Sequence, residues 1–187
     1  MLKRIFLVVV AIVALFSIYV ALQPSTFRIE RSAIVVAPPA QVFAEVNDFH
    51  NWEAWSPWAK LDPNAKTTFE GAPSGEGAVF RWAGNKEVGE GSMTVLESKP
   101  DERVKIRIDF VKPWQGTNTA EFTFKPDGPR TIVTWAMFGE QGFIERAVCM
   151  FMNPDKLVGG QFEKGLASLK TIAEGKAAPA VADPAQP

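Results

Sequence analysis

Apolar residues are spread along this chain in three regimes. Residues 5–22 read IFLVVVAIVALFSIYVAL, with no charge in the run. From 26 to 139 apolar and polar positions alternate in short bursts, and from Phe143 onward apolar residues recur every three or four positions. Strand side chains point alternately to two faces, whereas helix side chains return to one face about every 3.6 residues. The three regimes therefore predict an apolar helix, a set of half-buried strands and an amphipathic helix, in that order.

The alternating region opens with a strand over 26–36, whose apolar set is Phe27, Ile29, Ile34 and Val36, with Arg31 and Ser32 interrupting it. Ala37-Pro38-Pro39-Ala40 stops that strand. Proline suits a first helical position, and Val42, Phe43, Val46 and Phe49 follow at helical spacing, so a short helix, or two broken near Asn47-Asp48, comes next. Strands are then predicted over 66–70, 78–83, 89–98, 103–111, 117–125 and 131–139. The separators are Pro73-Ser74-Gly75, Gly84-Asn85, Pro100-Asp101, Lys112-Pro113 and Pro126-Asp127-Gly128. Each contains a residue that fixes φ or accepts a positive one, which is what a turn needs. Short connections between successive strands make an antiparallel meander.

Alternation also assigns faces. Phe80 and Trp82 oppose Arg81; Val104, Ile106, Ile108 and Phe110 oppose Lys105, Arg107 and Asp109. Phe122 and Phe124 oppose Glu121 and Thr123, and Val133, Trp135 and Met137 oppose Thr134. One concave face lined with Phe, Trp, Ile and Met is the expectation. After Gly142, the positions Phe143, Ile144, Ala147, Val148, Phe151 and Met152 fit one helix face. Asn153-Pro154-Asp155 bends or restarts it, and Leu157, Val158, Phe162, Leu166, Leu169 and Ile172 continue the stripe. A long helix, straight or kinked, is thus expected to lie across the sheet, its Met and Phe residues adaptable lining for the space between. The Ala/Pro-rich stretch 175–187 holds no aromatic residue and is expected to be a disordered tail.

The leading apolar run, at ~1.5 Å per residue, just spans a hydrocarbon layer ~30 Å thick. A cleaved signal peptide has an apolar region of roughly 7–15 residues ending in small residues. This run is longer and ends Ile18-Tyr19-Val20-Ala21-Leu22, with a bulky ring where a cleavage site wants a small side chain. The expectation is an uncleaved anchor over 1–24, crossing the membrane through residues 5–22, followed by a single domain over 25–174. Lys3 and Arg4 before the run place the amino terminus in the cytoplasm and the domain on the non-cytoplasmic side, although Arg28 and Arg31 count the other way.

Composition narrows the function. Without Lys3 and Arg4 the remainder carries 18 basic against 21 acidic residues, and no basic run is interleaved with aromatics, so nucleic acid is not an expected partner. Cys149 is the one cysteine and His50 the one histidine, which removes internal disulfides, cysteine clusters and multi-histidine metal sites. Six Trp and 14 Phe against a single Tyr make the aromatics apolar rather than hydrogen-bonding, a composition that suits a greasy cavity and an ordinary core alike. Three indoles, Trp52, Trp55 and Trp58, surround Pro57 and read either as a hydrophobic plug or as the rim of a cavity. The glycines near Pro73 and Gly84 do not open a helix in a βαβ unit, so no phosphate-binding loop is supported.

For catalysis, Glu70, Glu90, Arg81 and Glu121 are the charged residues nearest the expected cavity strands. A carboxylate base beside an arginine is the pairing that a cyclase-like reaction needs. Alternation places Arg81 and Glu121 on the solvent side, which argues against it. His50 is expected at the surface and Cys149 buried and inert.

An initial strand, two short helices, six meandering strands and a long terminal helix follow the order of the α+β helix-grip fold, a curved antiparallel sheet of about seven strands wrapped on that helix. The stretch from Ile34 to Leu169 resembles the SRPBCC superfamily of START lipid-transfer domains, polyketide cyclase/dehydrase-like proteins and birch-pollen-allergen-like proteins. The likeness rests on Ala37-Pro38-Pro39 with Val42-Phe43, on Asp48 to Trp52 with Trp55 to Trp58, on Gly89 to Met93, on Thr131 to Met137, and on Phe162 to Leu166. What the resemblance implies is a pocket for a small hydrophobic molecule, with no cofactor. Fold alone does not choose between a membrane-tethered binder or carrier and a polyketide cyclase/dehydrase-like enzyme. Face alternation and the resemblance together nominate Trp55, Trp58, Phe80, Trp82, Met93, Ile106, Ile108, Phe122, Trp135, Met137, Phe151 and Met152 as the lining.

Overall fold

The computed structural model describes residues 1–177. Helix α1 runs Leu2–Ala21 and leads into strand β1, Thr26–Val35. Helix α2, Pro39–Asn47, has proline in its first turn; a 3-10 turn, Phe49–Asn51, and the short α3, Trp52–Trp55, follow. Six strands then succeed one another: β2 Lys66–Gly71, β3 Ala78–Ala83, β4 Glu90–Lys99, β5 Arg103–Lys112, β6 Gly116–Asp127 and β7 Arg130–Glu140. Each predicted strand of the meander is present within one or two residues of its expected ends. The chain closes with α4, Phe143–Cys149, and α5, Pro154–Ala177. Of the expected tail, 175–177 thus continue α5, and 178–187 lie outside the described residues.

All strands join one antiparallel sheet in the order β1-β7-β6-β5-β4-β3-β2. The inner residues form cross-strand rows: Arg31, Trp135, Phe122 and Val104 in one, Ile29, Met137, Ala120 and Ile106 in the next, and Phe27, Gly139, Asn118, Ile108, Met93 and Phe80 beyond it. A last row is Gly116, Phe110, Gly91, Trp82 and Thr67.

Two expectations are corrected. The inner side of β1 is an unbroken alternation, Phe27, Ile29, Arg31, Ala33 and Val35, so Ile34 and Val36 lie exposed on the outside. A charged residue occupies an inner position there because α5 supplies its partners. Nor does one kinked helix cross the sheet. The chain turns at Asn153, whose Oδ1 accepts from the Lys156 amide (3.0 Å), and Pro154 begins a new helix. Only α5 packs on the sheet; Phe151 and Met152, expected on its inner face, stand outside at 80% and 52% exposure.

Candidate functional site

The inner face of the sheet divides into a filled half and an open half. In the filled half the Trp-rich segment is a plug: Trp52 and Trp55 are buried, and their indole N–H groups donate to the carbonyls of Val46 (2.9 Å) and Glu45 (3.1 Å), pinning α3 under α2. Trp135 lies stacked between Phe122 (ring centroids 4.7 Å) and Phe162 of α5 (4.2 Å), with Trp52, Trp55 and Trp58 edge-on around it. Alternating stacked and edge-on rings is how aromatic quadrupoles pack at high density. The Trp135 Nε1 is buried in that stack without an acceptor.

Arg31 closes this half. Its Nε donates to Glu163 Oε1 (2.7 Å), and Nη2 and Nη1 reach Asp155 Oδ2 (2.9 Å) and Oδ1 (3.0 Å), so one guanidinium ties two turns of α5 to β1. The hydrogen bonds that Arg31 donates to Asp155 and then Glu163 raise its pKa further, and the same contact holds the Asp155 carboxyl below its ordinary range. Gly159 makes the approach possible, because a β-carbon there would run into the guanidinium. Sequence reading treated Arg31 as an interruption; the signal that could have found it is the acidic pair Asp155 and Glu163, placed eight residues apart on one apolar helix.

The open half lies on the Thr26 side of that row; α5 begins at the level of Arg31 and packs mainly on β1, α2 and α3. There Trp82 stacks with Phe80 (6.1 Å, 20° between planes) and meets Phe110 edge-on (6.1 Å). The indole lies flat over Gly91, where a β-carbon would sit 2.6 Å from its ring, and its N–H donates to the Val88 carbonyl (3.2 Å). Phe27, Phe80, Trp82, Ile108 and Met137 pack on the core and are partly buried, Phe80 against Phe49 at 6.0 Å, with Met93 buried beneath them. Asn118 brings one amide to the same inner face between Ile108 and Gly139. Thr67, the cross-strand partner of Trp82, adds a hydroxyl to that face. A wall of rings with a few polar groups can hold an apolar molecule and orient its polar end.

The nominated lining residues therefore part company. Ile106, Phe122, Trp135 and Trp55 are sealed in the core, and Trp58 flanks it half-buried. Phe80, Trp82, Met93, Ile108 and Met137 meet at the open half. Phe27, Phe110 and Asn118 were not nominated; strand register, known only from pairing, brings them there.

The charged candidates face away from it. Arg81 pairs with Glu70 (3.1 Å), Glu90 with Lys112 (2.8 Å), and Glu121 lies 3.8 Å from Arg28, all on the outer face. His50 is exposed, stacked on Phe69 at 4.0 Å, with Nδ1 2.7 Å from Asp48 Oδ1. Cys149, expected buried, is only half-buried at the end of α4, 3.3 Å from Gln141 Nε2. A depression of about 290 Å³ is bordered by Lys66, Thr68, Arg81, Trp82, Ala83, Glu90, Gly91 and Val111, and a second of about 250 Å³ lies along α1 at Arg4, Ile5, Val8 and Val9. Neither lies between α5 and the sheet, where the rings fill the space.

A sequence profile for the family described as "Polyketide cyclase / dehydrase and lipid transport" matches residues 26–174. The chain belongs to that family. Within the superfamily, solved structures share the fold at low identity. A Chromobacterium violaceum protein aligns at 16% identity, covering 81% of this chain and 99% of its own, with a TM-score of 0.57. Ara h 8.0201 aligns at 11% over 80% of this chain and 99% of its own, with a TM-score of 0.56. The di-domain ARO/CYC StfQ of the steffimycin biosynthetic pathway aligns at 12%, covering 81% of this chain and 52% of its own, with a TM-score of 0.60. No curated protein matches the chain by sequence. Membership confirms the SRPBCC-type helix-grip expectation and supports, in general terms, hydrophobic-ligand binding or a polyketide cyclase-like role.

Proposed function

We propose that this polyketide cyclase/dehydrase and lipid transport family member binds or carries a small apolar molecule, lipid-like or aromatic, while tethered to a membrane by α1. The observation that carries this reading is the partly buried apolar wall of Phe80, Trp82, Ile108 and Met137, at the end of the sheet away from the main packing of α5 on β1, α2 and α3. Burying apolar surface against such a wall gives roughly 25 cal/mol per Å², so a ligand the size of a fatty acyl or polycyclic group has ample driving force. Asn118 supplies the polar contact. The ligand sits at the open half rather than under α5.

The tether reading rests on α1: 20 residues with a mean hydropathy of 2.6 in its most apolar stretch, almost wholly exposed. Exposed apolar surface on that scale needs a hydrocarbon environment. Lys3 and Arg4 orient it with the domain on the non-cytoplasmic side. In this arrangement 1–24 is the anchor and 25–174 the binding domain, held next to the phase that dissolves the same ligand.

Mass spectrometry of organic extracts tests the reading. The full chain, purified in nanodiscs of defined synthetic lipid, should carry a further apolar molecule at near-stoichiometric level, and Trp82→Ala should lose it. Extracts of the wild-type chain that contain only the synthetic lipid would refute it.

A further inference from the structure

The segment following β7 has no counterpart in the reading above. Helix α4 and the turn after it turn their apolar residues outward: Ile144 is 75% exposed and Phe151 80%, with Phe143, Val148, Met152 and Leu157 also exposed. The hairpin joining β5 to β6 presents Trp114, likewise 80% exposed. Hairpin and helix are neighbours, since a β-carbon at Gly116 would be 3.9 Å from Glu145 Oε1. Together they make one apolar patch at the end of the sheet.

This patch is fixed to α1. The Arg146 guanidinium of α4 donates to the carbonyls of Ala21 (3.2 Å) and Gln23 (3.0 Å) at the end of α1, where helix carbonyls lack partners. The Phe151 ring packs on Phe16, with centroids 6.1 Å apart, and Val20 is fully buried. Phe16 precedes Leu22 by six residues, which is about 9 Å along a helix. The apolar run 5–22 is about 27 Å long and has no length to spare across a hydrocarbon core of about 30 Å. If the whole run is immersed, the level of Phe16 lies inside the bilayer, and so does Phe151.

We propose that α4, the Phe151-Met152 turn and Trp114 form a membrane-embedded docking surface that seats the open end of the grip on the bilayer, with lipid acyl chains as its occupant. This rests on the tether reading of α1 and extends it: the domain does not hang from a flexible stalk but lies against the membrane in a set orientation. An immersion of roughly 5–10 Å is the depth at which apolar helix faces rest in an interface, and an indole such as Trp114 belongs at that boundary. The wall around Trp82 then opens toward the lipid, and an apolar guest passes between the two without crossing water.

Depth-dependent quenching tests it on the full chain. In a Cys149→Ala background, single cysteines at Phe151, Trp114, Val9 and Glu102 are labelled with bimane, and the protein is reconstituted with spin-labelled phospholipids. Labels at 151 and 114 should be quenched at least about twofold more than the label at 102, which sits at the far end of the sheet, and the label at 9 most deeply. Quenching at 9 but not at 151 and 114 overturns the docking surface and leaves the tether standing. No quenching at 9 removes both. A label at 151 that is blue-shifted yet unquenched by lipid means that protein covers the face, which also overturns the proposal.

Discussion

The two halves of the inner sheet face carry the same alternating, aromatic-rich pattern and meet different fates. Under α5 the rings of Trp135, Phe122 and Phe162 stack and seal; on β3 and β5 those of Phe80, Trp82 and Phe110 stay only partly buried. Residue type does not separate them. What does is where α5 packs: Arg31 holds it to β1 through Asp155 and Glu163, and it lies mainly on β1, β7, α2 and α3. A helix-grip domain can therefore be a solid core at one end and a binding surface at the other, within a single sheet.

The largest test of that contrast is Trp135→Ala. Removing a ring stacked on both sides leaves a cavity that the sheet cannot collapse into, and a loss of about 3–5 kcal/mol is expected in urea unfolding. Trp82→Ala should behave in the opposite way, with an affinity for the bound apolar molecule lower by about tenfold and an unfolding midpoint close to wild type. If both variants lose mainly stability, the open half is only an edge of the core.

A finer test concerns Arg31. Asp155 is held below its ordinary value of 3.8 by Arg31, so the stabilisation it contributes is complete above that value and is lost as pH falls through the depressed one. The guanidinium stays charged throughout. Arg31→Gln should therefore melt at a lower temperature than wild type at pH 6–7, with the two curves converging as pH drops below about 4. Curves that stay parallel across that range would show that the fork does not set the position of α5. The smallest effect is expected from Glu90→Gln and Glu121→Gln, whose carboxylates face away from the binding wall: ligand affinity measured by titration should stay within about twofold of wild type. Loss of a turnover activity in either variant would instead favour an enzyme.

The sheet was legible because alternation is a local property. Val104, Ile106, Ile108 and Phe110 against Lys105, Arg107 and Asp109 specify both a strand and its buried side without reference to any neighbour. The break at Asn153-Pro154 was legible for the same reason. What the periodicity of Phe143 to Met152 did not reveal is which surface that stripe meets. A stripe of apolar residues reports only that something covers it, and α1, not the sheet, supplies the nearest contact through Phe16. Arg31 was misread because an inward charge is tolerable only when distant partners satisfy it, and Asp155 and Glu163 lie more than 120 positions away.

By itself the sequence determined the apolar leading helix, the seven strands with the inner and outer faces of β3, β5, β6 and β7, and the family to which the domain belongs. Tertiary structure alone decided which part of the sheet α5 covers, which rings are sealed and which stay only partly buried, and that α4 turns away from the interior. The reason is that side-chain periodicity is fixed by backbone geometry within a few residues, whereas burial depends on which distant surface arrives opposite.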